Sequence, residues 1–166
     1  MLKRVRIQIT TERRTCTGSL FAPVPALTPA PVDKAVHTEF SMTGRWHDDG
    51  ERITLSYEET EASGLEGSTT SISYRKSAPS TVFMLRNGAA RASLTFEAGL
   101  RHETLYQTPI MPFDACVATW GVQNALETKG TLILDYDIEL RGAEAERTHF
   151  VLRVLPDFDS PQQKAQ

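Results

Sequence analysis

The side chains best placed to do chemistry recur at every second position of extended stretches. In TVFMLRNG (81–88), Arg86 follows Val82 and Met84 at alternate positions, so on a strand it points where they point, into an apolar interior. A guanidinium buried there demands an anion, either the carboxylate or phosphate of a ligand or an internal acid such as Glu59. Standing last in its run, Arg86 could also reach solvent or pair structurally with Glu59. In RHETLYQ (101–107), His102, Thr104 and Tyr106 share one strand face and could line a wall that hydrogen-bonds a ligand. A histidine satisfied by its own neighbours fits the same spacing. YEETE (57–61) brings Glu58, Glu59 and Glu61 together behind Tyr57. Carboxylates so close could hold a hard cation or share a proton, but without the ordered oxygen spacing of a calcium loop they read as a solvated loop mouth. Trp46, Trp120, Tyr57, Tyr74, Tyr106 and Tyr136 lie in extended segments, where aromatics form core or the apolar wall of a pocket. The candidate ligand-binding set is therefore Tyr57, Glu59, Arg86, His102, Thr104 and Tyr106.

Other chemistries lack their motifs. His37, His47, His102 and His149 are scattered, with no HxH or HExxH arrangement. Cys16 and Cys116 lack the paired spacing of zinc or redox sites and read as free thiols. No GxSxG, phosphate-binding loop or dinucleotide fingerprint occurs, so no catalytic residue, metal site or cofactor is expected. A net charge of -3 and a pI near 5.8 provide no field for nucleic acid or an anionic membrane. The basic stretch with Lys3, Arg4, Arg6, Arg13 and Arg14 has no interleaved aromatics and reads as the wet face of a first strand. Without a signal-like N-terminal apolar run or a span of roughly 20 apolar residues, the protein is expected to be cytoplasmic.

These side chains need strands to hold them. In GTLILDYDIELRG (130–142), Leu132, Leu134, Tyr136, Ile138 and Leu140 alternate with Asp135, Asp137, Glu139 and Arg141, giving one dry face and one wet one. Val5, Ile7 and Ile9 begin another strand, after which the pattern stops. Further extended segments fall near 36–45, 51–59, 68–76, 80–86, 90–97, 100–108, 114–123 and 146–155. Hairpin turns are expected at His47-Asp48-Asp49-Gly50 and at Asn87-Gly88. A helix of one turn or two is expected around 123–129, ended by Gly130. Four prolines between 18 and 34 predict a long loop, and the polar tail 157–166 predicts disorder. The chain of 166 residues, 40% hydrophobic, suits one domain over 1–156. Its strands predict an all-β antiparallel meander that closes into a barrel, with a β-sandwich as the alternative.

ITLSYEE (53–59), VFMLRNG (82–88), FEAG (96–99), TLYQTP (104–109) and GTLILDYDIEL (130–140), in that order and spacing, resemble the YwiB-like family of small bacterial proteins of unknown function, across residues 36–155. The resemblance implies a lipocalin-type, calycin-like β-barrel and no established reaction. The chain departs from the family pattern at the proline-rich segment 20–31, which reads as an insertion, and at Met111, where glycine is expected after Thr108-Pro109.

A barrel of this size either fills its interior or holds one small ligand. The expected function is binding of a small anionic or amphipathic molecule. The alternative is a packed barrel that binds another protein through its surface or proline-rich loop, and an enzyme comes third. Edge strands could also pair two copies into a homodimer.

Overall fold

Alternation of apolar and polar residues runs through most of the chain as strands, and tight turns join them into hairpins. The computed structural model describes residues 2–17, 19–21, 30–31, 35–60, 66–141 and 143–155. Its elements are β1 (Leu2–Thr17), β2 (Ala30–Pro31), β3 (Val36–Asp48), β4 (Arg52–Glu58), β5 (Ser68–Arg75), β6 (Ala78–Gly88), β7 (Ala92–Phe96), β8 (Arg101–Gln107), β9 (Pro112–Ala125), α1 (Leu126–Lys129), β10 (Thr131–Leu140) and β11 (Glu146–Leu155). Ten strands form one antiparallel sheet in the order β7-β6-β5-β4-β3-β1-β11-β10-β9-β8, with β2 appended to β1. The outermost strands, β7 and β8, curl round to meet. They join through one bridge, in which Arg91 N donates to Gln107 O at 2.9 Å and Gln107 N to Arg91 O at 2.8 Å. The result is a nearly closed meander barrel, as the alternation predicts, and a continuous sheet of this kind is not a sandwich.

Local chemistry sets most of the joints. Asp48 and Asp49 accept from the backbone N–H groups of Gly50, Glu51 and Arg52 at 2.7–2.8 Å, so the expected turn links β3 to β4. The Asn87-Gly88 turn is displaced. Both residues still pair with β5, opposite Thr69 and Ser68, and the chain reverses after Gly88, before Ala92 pairs with Arg86. The expected helix is the single turn α1, stopped by Gly130 at φ 67°, a left-handed conformation that favours glycine. β1 runs well beyond Ile9, to Thr17. Of the proline-rich stretch 18–34, Ala30–Pro31 forms a short edge strand, where proline is tolerated, and Ser19–Phe21 are placed; the remainder lies outside the described residues, as do Glu61 and the tail 157–166. Among the described residues no helix is long and apolar enough to cross a membrane.

The two ends of the barrel are filled differently. At one end Ile53, Leu55, Ile72, Tyr74, Val82 and Phe96 are at most 1% exposed and interdigitate across the interior. Towards the other end the inward positions turn polar and the packing opens.

Outside the barrel, the wet face expected of β10 is only partly wet. Asp137 and Glu139 are 0% and 5% exposed: Arg147 binds the first, and the chain leaving β1 reaches the second. Ser19 Oγ donates to Glu139 Oε2 at 2.8 Å, Arg101 Nη1 donates to Leu20 O at 2.9 Å, and Arg141 stacks 4.0 Å from the Phe21 ring. Cys16 and Cys116 are buried free thiols. Burial, followed by the charge of Asp137, raises the Cys16 thiol above its ordinary pKa; burial, followed by Glu103, raises Cys116. Trp120, read as core or pocket wall, is 51% exposed. A register shift between β10 and β9 at Asp135/Tyr136 turns it outward, where Arg147 stacks on it at 5.0 Å.

Candidate functional site

At the open end the even rhythm of β1 continues inward through Ile9, Thr11 and Arg13, and polar side chains arrive on the same face from its neighbours. They enclose a cavity of about 320 Å³. Tyr57 and Glu59 enter from the end of β4, Arg86 from β6, Tyr106 from β8 and Tyr136 from β10. Phe40, Met42, Leu94, Ile138, Leu140 and Phe150 provide apolar wall, and Ala143 and Glu144 from the β10–β11 turn stand at its mouth with Arg13 and Glu146. Thr11 and Thr38, opposite each other on β1 and β3, are joined by their hydroxyls on this wall.

The floor is a charged centre among phenols. Arg86 Nη1 donates to the Tyr106 hydroxyl at 3.0 Å, while its Nε is buried and has no partner among the described residues. Burial opposes the charge of this guanidinium, but the surrounding Tyr106, Tyr136, Tyr57 and Glu59 outweigh that cost and hold its pKa above the ordinary value. Glu59 is 9% exposed and accepts from Thr70 Oγ1 at 2.6 Å. Thr70 sits between the two charges: its Cα is paired with Tyr57 on one side and with Arg86 on the other. No carboxylate lies within ion-pair distance of Arg86 among the described residues, so the structural Arg86–Glu59 pair that the sequence allowed is not made.

Of the six residues expected to bind, four meet here: Tyr57, Glu59, Arg86 and Tyr106. His102 and Thr104 do not. They share the inward face of β8 with Tyr106, opposite Val117 and Ala115, but lie along the seam between β8 and β7, away from the cavity. His102 Nε2 instead approaches Glu97 Oε1 at 3.1 Å, beside the turn that leaves β7. The acidic trio is divided as well: β4 alternation sends Glu59 inward and leaves Glu58 exposed, so the two cannot share a proton. Among the described residues no three His, Cys, Asp or Glu side chains come together as a metal site.

Sequence reasoning missed Arg13, Glu146 and Thr148 as cavity-lining residues, and Tyr136, read as core or pocket wall, lines the cavity without having been placed in the binding set. One signal pointed to the first: the alternation of β1 stops being apolar after Ile9 because Thr11 and Arg13 take inward positions in a polar space.

The tyrosines supply a test of this arrangement. Burial raises the pKa of Tyr57, and Glu59 adds to it; burial likewise raises Tyr136, and burial with Glu127 raises Tyr74. Free tyrosine loses its proton near pH 10. For groups whose folded pKa is raised, the stabilisation is complete below that pH and is lost as pH climbs through the folded value. In an alkaline titration, tyrosinate absorbance from these three of the four tyrosines should therefore appear together with loss of the β-sheet circular dichroism. Full ionisation near pH 10 with the sheet intact would contradict the burial described.

Residues 31–152 match a family described as "Domain of unknown function (DUF1934)". The crystal structure of the ywiB protein from Bacillus subtilis shares the fold with a TM-score of 0.64 at 17% sequence identity, over 92% of this chain and 94% of that one. No curated protein matches the chain. The likeness that the short motifs carried is thus met by both a family and a fold.

Proposed function

We propose that this chain, which belongs to the family described as "Domain of unknown function (DUF1934)", uses the open end of its barrel to bind one small anionic or amphipathic molecule. The observation that carries the reading is the inward-facing Arg86, whose buried Nε lacks a partner and whose charge no neighbouring carboxylate pairs. A buried donor without an acceptor is costly, and a ligand carboxylate or phosphate would accept from Nε and a second guanidinium nitrogen in two parallel hydrogen bonds. Tyr106, which accepts from Arg86, keeps its own hydroxyl proton free to donate to the same anion. The apolar walls of Phe40, Met42, Ile138 and Leu140 would take the body of the molecule. A volume of about 320 Å³ falls at the small end of the range of roughly 300–1,000 Å³ for ligand pockets, which suits a compact molecule. A packed floor under an open mouth supports the calycin-like reading, whereas a wholly packed interaction module has no use for the space.

The test is calorimetric titration of octanoate and octyl phosphate into the wild type and Arg86→Gln. Losing a hydrogen bond to a charged group costs about 1.5–3 kcal/mol, so the variant should bind at least about tenfold more weakly with its circular dichroism unchanged. Equal affinity in the two proteins, or no heat of binding from either probe with the wild type, would remove the proposal.

A further inference from the structure

The cavity holds a second charge that an anion alone does not match. Glu59 is buried to 9% exposure, yet one short hydrogen bond from Thr70 is the only hydrogen bond to its carboxylate among the described residues. A carboxylate has about four acceptor positions, and Thr70 takes one of them, so the others face whatever occupies the cavity. Arg86 faces the same space, also incompletely matched. Glu59, just past the end of β4, and Arg86 on β6 are separated only by β5, and they still form no ion pair. Thr70, 0% exposed between them, donates to Glu59 and holds its Oε1 on the β5 side.

Resting on the reading that Arg86 receives an anionic group, we infer that the ligand is zwitterionic and carries a protonated nitrogen beside that anion, the nitrogen on Glu59 and the anion on Arg86. A simple anion would meet Arg86 but bring negative charge towards Glu59. A simple cation would meet the reverse conflict. A molecule with both poles satisfies both side chains at once, and the attraction of each pole for its partner offsets the cost of taking that pole out of water. An ammonium fits Glu59 in particular, because its three donors can fill acceptor positions that Thr70 leaves open. The aliphatic wall above the two charges, Met42, Ile138 and Leu140, favours an amino acid-like head bearing an apolar tail.

Matched probes separate this inference from the one on which it rests. Calorimetry with 2-aminooctanoate, N-acetyl-2-aminooctanoate and octanoate keeps the tail and the carboxylate constant and changes only the nitrogen. The wild type should bind 2-aminooctanoate at least about tenfold more tightly than the other two, a difference of about 1.4 kcal/mol. Glu59→Gln should erase that preference while retaining octanoate, and Arg86→Gln should weaken every probe. If octanoate binds as tightly as 2-aminooctanoate, the zwitterion is overturned and the anion site stands. A preference that persists in Glu59→Gln overturns the role of Glu59. If no probe binds, both readings fall. Should Glu59→Gln not fold, the acetylated probe reports on the nitrogen in the wild type alone, and equal binding with and without the acetyl group overturns the inference.

Discussion

Replacing Arg147 by methionine should cost the fold about 3–5 kcal/mol, the range for removing one partner of a buried ion pair, and more than replacing its partner Asp137 by asparagine. The asymmetry follows from where the two charges sit. Asp137 is wholly buried on the outer face of β10, gripped by Arg147 Nε at 2.8 Å and Nη2 at 3.1 Å. Arg147 keeps 32% of its side-chain exposure and stacks on Trp120. Without Arg147, a carboxylate is stranded with no route to water. Without the Asp137 charge, the guanidinium still has solvent and the indole, so Asp137→Asn should cost only about 1–2 kcal/mol of lost charged hydrogen bonding. The double variant Asp137→Leu/Arg147→Met should regain much of the loss, since an apolar pair strands no charge. Urea denaturation of the three variants decides it; equal single-variant losses would mean that Asp137 is better solvated than its burial indicates.

The uneven filling of the barrel predicts an equally uneven response to truncation. Phe96→Ala should destabilise by about 3–5 kcal/mol, as large-to-small changes in a packed core do. Phe96 is 0% exposed and its ring lies 4.8 Å from that of Tyr136 at a 58° tilt, so nothing nearby can close the void. Phe40→Ala should cost about half as much or less, because Phe40 is half-buried on a wall that already borders empty space and the truncation enlarges a cavity instead of creating one. Midpoints and slopes of guanidinium unfolding curves provide the comparison. Equal costs for the two residues would show that the open end is packed as tightly as the floor.

Strands were legible wherever one face is uniformly apolar and the other polar. Leu132 and Leu134, Ile53 and Leu55, and Val82 and Met84 all point into the packed end, and their alternation located β10, β4 and β6. Legibility faded where the environment reversed. Thr11 and Arg13 point inward because the interior there is polar, so β1 read as ending at Ile9. Asp137 and Glu139 look solvated by period alone; Arg147 of the neighbouring strand binds the first and Ser19, more than a hundred residues away in sequence, donates to the second, contacts that no local pattern encodes. Trp120 was misplaced by a bulge in β9 pairing, which shifts orientation without altering composition. The site itself was half legible. Arg86 and Tyr106 follow from strand parity, and parity also nominated His102 and Thr104. Parity fixes the face of a strand, whereas membership of the cavity depends on position along it and on whether the neighbouring strand is paired there.

The placement of β1 fixes when the barrel can first be completed. β1 lies between β3 and β11, and its residues from Arg6 to Thr15 pair with Leu155 back to Glu146. On a ribosome adding roughly 5–20 residues per second, β1 waits on the order of ten seconds for that partner, while the hairpins of β3–β7 can assemble from neighbours already made. Pairing over such sequence distances is slow, and meanwhile the growing sheet exposes an unpaired edge beside its apolar face, the condition under which chaperones engage nascent chains. Arg13 and Glu146, which flank the same mouth from β1 and β11, cannot meet until that last strand has emerged. The wall of the cavity is therefore incomplete until β11 has been made, and a nascent chain that stops short of it lacks Glu146, Thr148 and Phe150 from that wall.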